Sequence, residues 1–252
     1  RGDTVCVLAP NIPELFEAHF AVPMAGAVLC AINTRLEPDT VAYILDHSDC
    51  RLVIVDSALR PTLDAAFAIL EREIPVVESV DPAGPVPEGR GDPTYGTLAE
   101  GDAPLSDALP DDEWQAIALN YTSGTSGRPK GVIYHHRGAY LMALGTVAAW
   151  QVPPRPAYLS VVPMFHCNGW GHPWMMAIVG GKTVFVRQPE PARLFEAIEA
   201  EGSTHFGAAP VILQMLAESD AAPSAPCDPP IQVMTAGAPP PPAILERTAA
   251  MG

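Results

Sequence analysis

Tyr121-Thr122-Ser123-Gly124-Thr125-Ser126-Gly127-Arg128-Pro129-Lys130-Gly131 is the stretch on which the reading of this chain turns. Four hydroxyl residues, three glycines and one lysine stand in eleven positions. Glycine lets backbone N–H groups come close to an anion, Ser and Thr add donors, and Lys adds a point charge. That mixture suits a triphosphate or pyrophosphate. A Walker loop would need G-x-x-x-x-G-K-[ST] running into a helix. Here Lys130 is followed by Gly131 and then by Val132-Ile133-Tyr134, a β-rich run. The segment therefore reads as a loop between two strands. A flexible Gly/Ser turn would explain the glycines alone. It would not explain two neighbouring Thr/Ser–Gly blocks, or the presence of one of only two lysines, Lys130 and Lys182.

Upstream of this loop, short β-rich runs alternate with helical patterns. Thr4–Ala9, Val28–Ile32, Leu52–Val55 and Pro75–Glu78 read as strands. Ile12–Ala25, a helix opening at Pro38, and Thr62–Glu71 read as helices, with Val41, Ile44 and Leu45 at i, i+3, i+4 spacing. Asp81–Asp112 is rich in Pro, Gly and Asp and suits a long surface loop. The chain re-enters a core at Trp114–Tyr121. Downstream, Gly138–Trp150 is helical, and a cluster at Pro153, Pro154 and Pro156 marks a boundary. The same rhythm then resumes, with a helix expected over Asn168–Val179 and another over Pro191–Ala200. Strands alternating with helices imply an α/β fold with parallel sheet and helices on its faces. The expected organisation is a first α/β subdomain over 1–152, carrying the loop, and a second over 153–252.

Composition narrows the class. The chain has 252 residues and a formal net charge of −15. Such acidity argues against nucleic acid or an anionic membrane surface as partner, because both reward clustered Lys and Arg. At 48% hydrophobic and 17% charged, the chain can bury a core. The uncharged stretches Ala18–Thr34 and Gly138–Pro154 are shorter than the roughly 20 residues of a membrane span. Pro156–Gly181 is longer but holds His166, Asn168, His172, Pro163 and Pro173, so no transmembrane segment is expected. Five cysteines form no CxxC pair and suit free thiols in a reducing, cytoplasmic setting. Arg1 in place of Met, and a patterned stretch running up to Gly252, suggest a piece of a longer protein.

Two further segments carry chemistry. In Pro163-Met164-Phe165-His166-Cys167-Asn168-Gly169-Trp170, a strand leads into an aromatic residue, a histidine and a glycine turn. His166 can pair with a carboxylate while Phe165 and Trp170 supply apolar walls; a packed histidine in an aromatic core is the competing reading. No metal-ligating set stands at a recognisable spacing, His166, Cys167 and His172 included. In Thr235-Ala236-Gly237-Ala238-Pro239-Pro240, a strand ends in small residues that would let a flat base lie against the backbone, although Gly and Pro often serve such turns anyway. His135 and His136 suit turn or capping positions, and Arg193, Glu196 and Glu199 suit a solvated helix face.

Residues Tyr121–Gly131 resemble the loop of the adenylate-forming superfamily, commonly Y-T-S-G-T-T-G-x-P-K-G, with Ser126 here in place of Thr. Asn33-Thr34-Arg35-Leu36, Ala42-Tyr43-Ile44-Leu45, His47-Ser48 and His136-Arg137-Gly138-Ala139-Tyr140 resemble its acyl-CoA synthetase branch. The resemblance implies the superfamily's N-terminal α/β domain, two stacked sheets with flanking helices, incomplete at both ends. It implies that ATP and Mg²⁺ are used to activate a small-molecule carboxylic acid, fatty or otherwise small and aliphatic, as acyl-AMP, with CoA as cosubstrate. Lys130 and His166 would be the catalytic residues. Thr122, Ser123, Gly124, Thr125, Ser126, Gly127 and Lys130 would hold phosphates, and Ala236, Gly237, Ala238 and Pro239 would lie beside adenine. Phe165, His166, Asn168, Gly169 and Trp170 would shape the acid site. The superfamily's aromatic-Gly-x-Thr-Glu motif is absent from these residues, so residues 1–252 alone are expected to be inactive. A domain that loads a carrier protein and a non-catalytic nucleotide-binding module are the alternatives. Oligomeric state is left open, a homodimer among the options.

Overall fold

Thr4–Leu8 (β1) is a run of β-branched and apolar residues that Pro10 and Asn11 bring to a stop, and it becomes the centre of a sheet. The computed structural model describes residues 1–80, 93–100, 109–122 and 127–252. Four further strands, Val28–Ala31 (β2), Cys50–Asp56 (β3), Val76–Ser79 (β4) and Ala116–Thr122 (β5), run parallel to β1. Lys130–His135 (β6) closes the sheet antiparallel to β5, giving the order β4-β3-β1-β2-β5-β6. Helices Pro13–Met24 (α1), Pro38–His47 (α2) and Arg60–Phe67 (α3) each begin with Pro in the first turn, where a missing N–H costs nothing. The apolar stripe of α2 (Val41, Ile44, Leu45) packs with Cys6, Leu8, Val53, Val55 and Leu63 into a buried core. A short helix, Tyr95–Ala99 (α4), stands within the stretch expected to be loop; the rest of that stretch, except Pro93–Glu100 and Leu109–Asp112, lies outside the described residues. Trp114 is 63% exposed, so the return to the core begins instead at Ile117.

After His136–Trp150 (α5) come Ala157–Ser160 (β7), Lys182–Phe185 (β8), His205–Ala208 (β9) and Gln232–Thr235 (β10). All pair parallel in the order β10-β9-β7-β8. The helix expected over Asn168–Val179 is two pieces. Cys167–Trp170 (α6) is a left-handed turn, and His172–Val179 (α7) starts only after Gly171, itself at φ 76°. Pro191–Glu201 (α8), Pro210–Ala217 (α9) and Pro242–Ala249 (α10) complete the order. Leu159, Leu194, Phe206, Leu213 and Ile244 form the second core. Arg193, Glu196 and Glu199 face solvent, as expected of a solvated face.

Two compact units emerge: Arg1–Leu141 with Met164–Asn168, and Met142–Pro163 with Gly169–Gly252. Each holds one of the two sheets, and the proline cluster at 153–156 lies inside the second. No described helix is long and apolar enough to cross a membrane.

Candidate active site

Within the first unit the Thr122–Lys130 segment closes the β5–β6 hairpin. Thr122 pairs with Lys130 and Tyr121 with Gly131. Space at Gly131 is tight: a Cβ would lie 3.0 Å from Leu119 Cδ1, and the leucine side chain would have to give by a few tenths of an ångström to admit it. Ser123, Gly124, Thr125 and Ser126 lie outside the described residues; Thr122, Gly127 and Lys130 are exposed. Helix α2 props both ends of the loop. The Tyr43 hydroxyl donates to the Pro129 carbonyl at 3.2 Å, and His47 Nδ1 lies 2.8 Å from the Tyr121 hydroxyl. Arg128 sits over the Tyr43 ring, 5.2 Å from its centroid. Burial pushes the Tyr121 hydroxyl above its ordinary pKa, so it stays a neutral hydrogen-bonding group. Tyr43 and His47 belong to the quoted α2 stretch, but periodicity could not assign them a task. The loop ends thus combine an exposed ammonium, an exposed hydroxyl and a guanidinium stacked on an aromatic ring, which is chemistry suited to anionic oxygens.

His135 ends β6 and caps α5: its Nδ1 accepts from the Gly138 N–H at 2.9 Å, the capping role expected from sequence.

The Met164–Asn168 segment also belongs to the first unit. Asn11 Oδ1 accepts from the Met164 N–H at 2.9 Å and anchors its start. Phe165 is half-buried and His166 exposed, so its imidazole is available to a ligand. Cys167 Sγ lies 3.9 Å from His166 Nε2. Asn168 is one of the residues expected to shape the acid site, and its side chain faces inward. It is 0% exposed, and both ends of its amide are occupied. Its Oδ1 accepts from Asn120 Nδ2 at 2.5 Å, and its Nδ2 contacts His19 Nε2 at 3.2 Å. His19 Nδ1 lies 2.7 Å from the Leu15 carbonyl. A carbonyl only accepts, so the proton sits on Nδ1 and Nε2 accepts from Asn168. Burial lowers the His19 pKa to about 4, against the pull of the Leu15 and Met164 carbonyls, so the ring is neutral.

Gly169 and Trp170 belong to the second unit, Gly169 buried and Trp170 half-buried. So does the turn Ala236–Pro239, which follows β10, is exposed throughout, and has Gly237 at φ 97°. That turn presents backbone unobstructed by large side chains. Among the described residues, no group of three His, Cys, Asp or Glu side chains is placed to hold a metal ion.

A mainly parallel sheet, closed by one antiparallel hairpin whose connecting loop is rich in glycine and hydroxyl residues, defines an α/β domain. The chain belongs to the AMP-binding enzyme family, whose profile matches residues 1–252. It is 42% identical over 260 residues to a 2-methylpropanoate–CoA ligase from Humulus lupulus, covering 100% of this chain and 46% of that protein. It is 43% identical over 258 residues to an acetate–CoA ligase from the same plant, covering 97% and 45%. The chain thus spans about half the length of the curated relatives it matches. Among solved structures, the inhibitor-bound N-terminal domain of FACL13 from Mycobacterium tuberculosis superposes with a TM-score of 0.80 at 26% identity, covering 99% of this chain and 60% of that one. ATP-bound MatB from Rhodopseudomonas palustris shares the fold, with a TM-score of 0.79 at 21% identity over 99% and 47%.

Proposed function

We propose that this chain is the ATP- and acid-binding part of an acyl-CoA ligase for small aliphatic carboxylic acids. The observation that carries the reading is the Thr122–Lys130 loop, closing a hairpin in a chain more than two-fifths identical to proteins named as acetate– and 2-methylpropanoate–CoA ligases. A carboxylate oxygen attacks the α-phosphorus of ATP, and pyrophosphate leaves with its electron pair. The CoA thiol then attacks the acyl carbonyl of acyl-AMP, forming the thioester and releasing AMP and the thiol proton. Thr122, Ser123–Ser126, Gly127 and Lys130 hold the β- and γ-phosphates, and Mg²⁺ arrives with the nucleotide as part of the MgATP substrate. His166 borders the substrate carboxylate; Phe165, Gly169 and Trp170 shape the acyl wall; Ala236–Pro239 lie beside adenine. Asn168 has no direct contact in this scheme. The free cysteines, with Cys6, Cys30 and Cys50 buried, accord with a reducing compartment.

The test is carboxylate-dependent ATP–pyrophosphate exchange and acyl-CoA formation by the full-length protein, with acetate and 2-methylpropanoate as acids. ATP hydrolysis indifferent to carboxylate, or thioester formed only on a carrier protein, overturns the reading. Residues 1–252 alone are expected to show no turnover. Lys130→Ala in the full-length protein should lower kcat/KM for ATP by about ten- to a hundredfold, the worth of one charge-assisted contact. Unchanged ATP kinetics remove Lys130 from the scheme.

A further inference from the structure

The backbone after His166 runs through five consecutive left-handed residues: Cys167 at φ 46°, Asn168 at 42°, Gly169 at 56°, Trp170 at 58° and Gly171 at 76°. Three of the five are not glycine. Non-glycine residues are strained in this region, and a run of them persists only where surrounding structure dictates it. Asparagine tolerates the left-handed region better than most residues, and Asn168 also supplies the restraint. Its amide stands in a directional chain, from Asn120 Nδ2–H to Asn168 Oδ1, from Asn168 Nδ2–H to His19 Nε2, and from His19 Nδ1–H to the Leu15 carbonyl. The chain joins α1, β5 and the turn. Asn120 stands two residues before Thr122, where the glycine- and hydroxyl-rich loop begins, and Asn168 stands two residues after His166.

We infer that Asn168 is a positioning residue: through Asn120 and His19 it pins the left-handed turn and so holds His166 in register with the end of β5. This rests on the acid-activating reading above. The two loops that would meet the acid and the phosphates are then tied by one buried amide. Neutrality of His19 is part of the device, because an imidazolium would have no lone pair for Asn168 Nδ2–H. The Leu15 and Met164 carbonyls and the Asn168 amide face this ring, and none of them titrates.

Two variants of the full-length protein separate positioning from mere packing. Asn168→Gly keeps the left-handed backbone without steric cost and removes both hydrogen bonds. Its kcat/KM for the carboxylate should fall about tenfold, while KM for ATP moves less than about twofold. Asn168→Asp keeps the acceptor for Asn120 but turns a lone pair toward His19 Nε2. The introduced carboxylate raises the His19 pKa from about 4, and the contact is whole only with the ring protonated. Carboxylate kcat/KM in this variant should therefore fall as pH rises through the new midpoint, a limb absent from wild type. The imidazole is followed independently by NMR of labelled histidine. A wild-type His19 midpoint near the ordinary 6.5 overturns the relay whatever the variants do. Wild type without carboxylate-dependent exchange overturns the functional reading, and this role with it. An active wild type whose carboxylate kinetics and pH profile both variants leave unchanged overturns the positioning role alone.

Discussion

His19 in the first unit and His172 in the second are both shut away from solvent, 0% and 1% exposed, and burial lowers both to a pKa of about 4. Their surroundings differ in kind. His19 uses both ring nitrogens, one to donate to a carbonyl and one to accept from an amide. His172 uses one: its Nδ1 lies 2.5 Å from the Tyr158 hydroxyl, and its Nε2 has no hydrogen-bond partner among the described residues. The rest of its environment is shape. Tyr158 and Trp170 meet the ring edge-on at 5.1 and 5.9 Å, Trp150 is tilted at 5.7 Å, and a Cβ on Gly207 would be 2.6 Å from Cε1. An imidazole that links elements is thus specified by polarity. One that fills a box is specified by contour, and keeps a single polar anchor.

Acid should reveal what the two share. The folded pKa of each lies below the unfolded value near 6.5, so the unfolded chain takes up protons first. Stability is fully present above about pH 6.5 and is lost as pH falls toward about 4. At about pH 5 the two rings together should cost roughly 4 kcal/mol relative to about pH 7.5, read from urea midpoints. His205 and His136 shift in the same direction and add to the trend. Equal stability at the two pH values would mean that the rings are hydrated in solution.

Substitution should then separate them. His19→Phe leaves the Asn168 Nδ2–H buried without an acceptor and should cost about 2–3 kcal/mol in urea unfolding. Gly207→Ala drives a methyl into His172 and Val162, at 2.6 and 2.9 Å, and should cost about 1–3 kcal/mol. His172→Phe should cost least, within about 1 kcal/mol, since the loss of the Tyr158 partner is offset by removal of the unpartnered Nε2. If His172→Phe proves as damaging as His19→Phe, the contrast between linker and filler fails.

Much of this architecture was legible in the residues. Alternation of runs such as Leu52–Val55 with the Val41, Ile44, Leu45 stripe announces strands and helices, because burial imposes a period on each. Gly131 and the β-branched residues after it place the loop between strands. His135 at the head of a helix reads as a cap, and proves to be one. What escaped the sequence is tertiary. His19, Asn120 and Asn168 stand far apart in the chain, and no period links them, so Asn168 reads as a polar group for a ligand and nothing marks that its side chain faces inward. The break at Gly171 was hidden by an apolar run that continues on both sides of it. The antiparallel turn of β6 in a parallel sheet carries no compositional mark beyond the loop itself.

Asn168 is followed by Gly169, the pairing in which an asparagine side chain most readily closes on the next backbone nitrogen and ages to aspartate or isoaspartate. In the folded protein that side chain is held by Asn120 and His19 and hidden from water. The amide therefore has two lifetimes, long in the native state and short in the unfolded one. The aspartate product would carry the same carboxylate as Asn168→Asp. Old or heat-stressed preparations should accumulate it wherever the chain has spent time unfolded, so its mass increment serves as a clock of the protein's unfolding history.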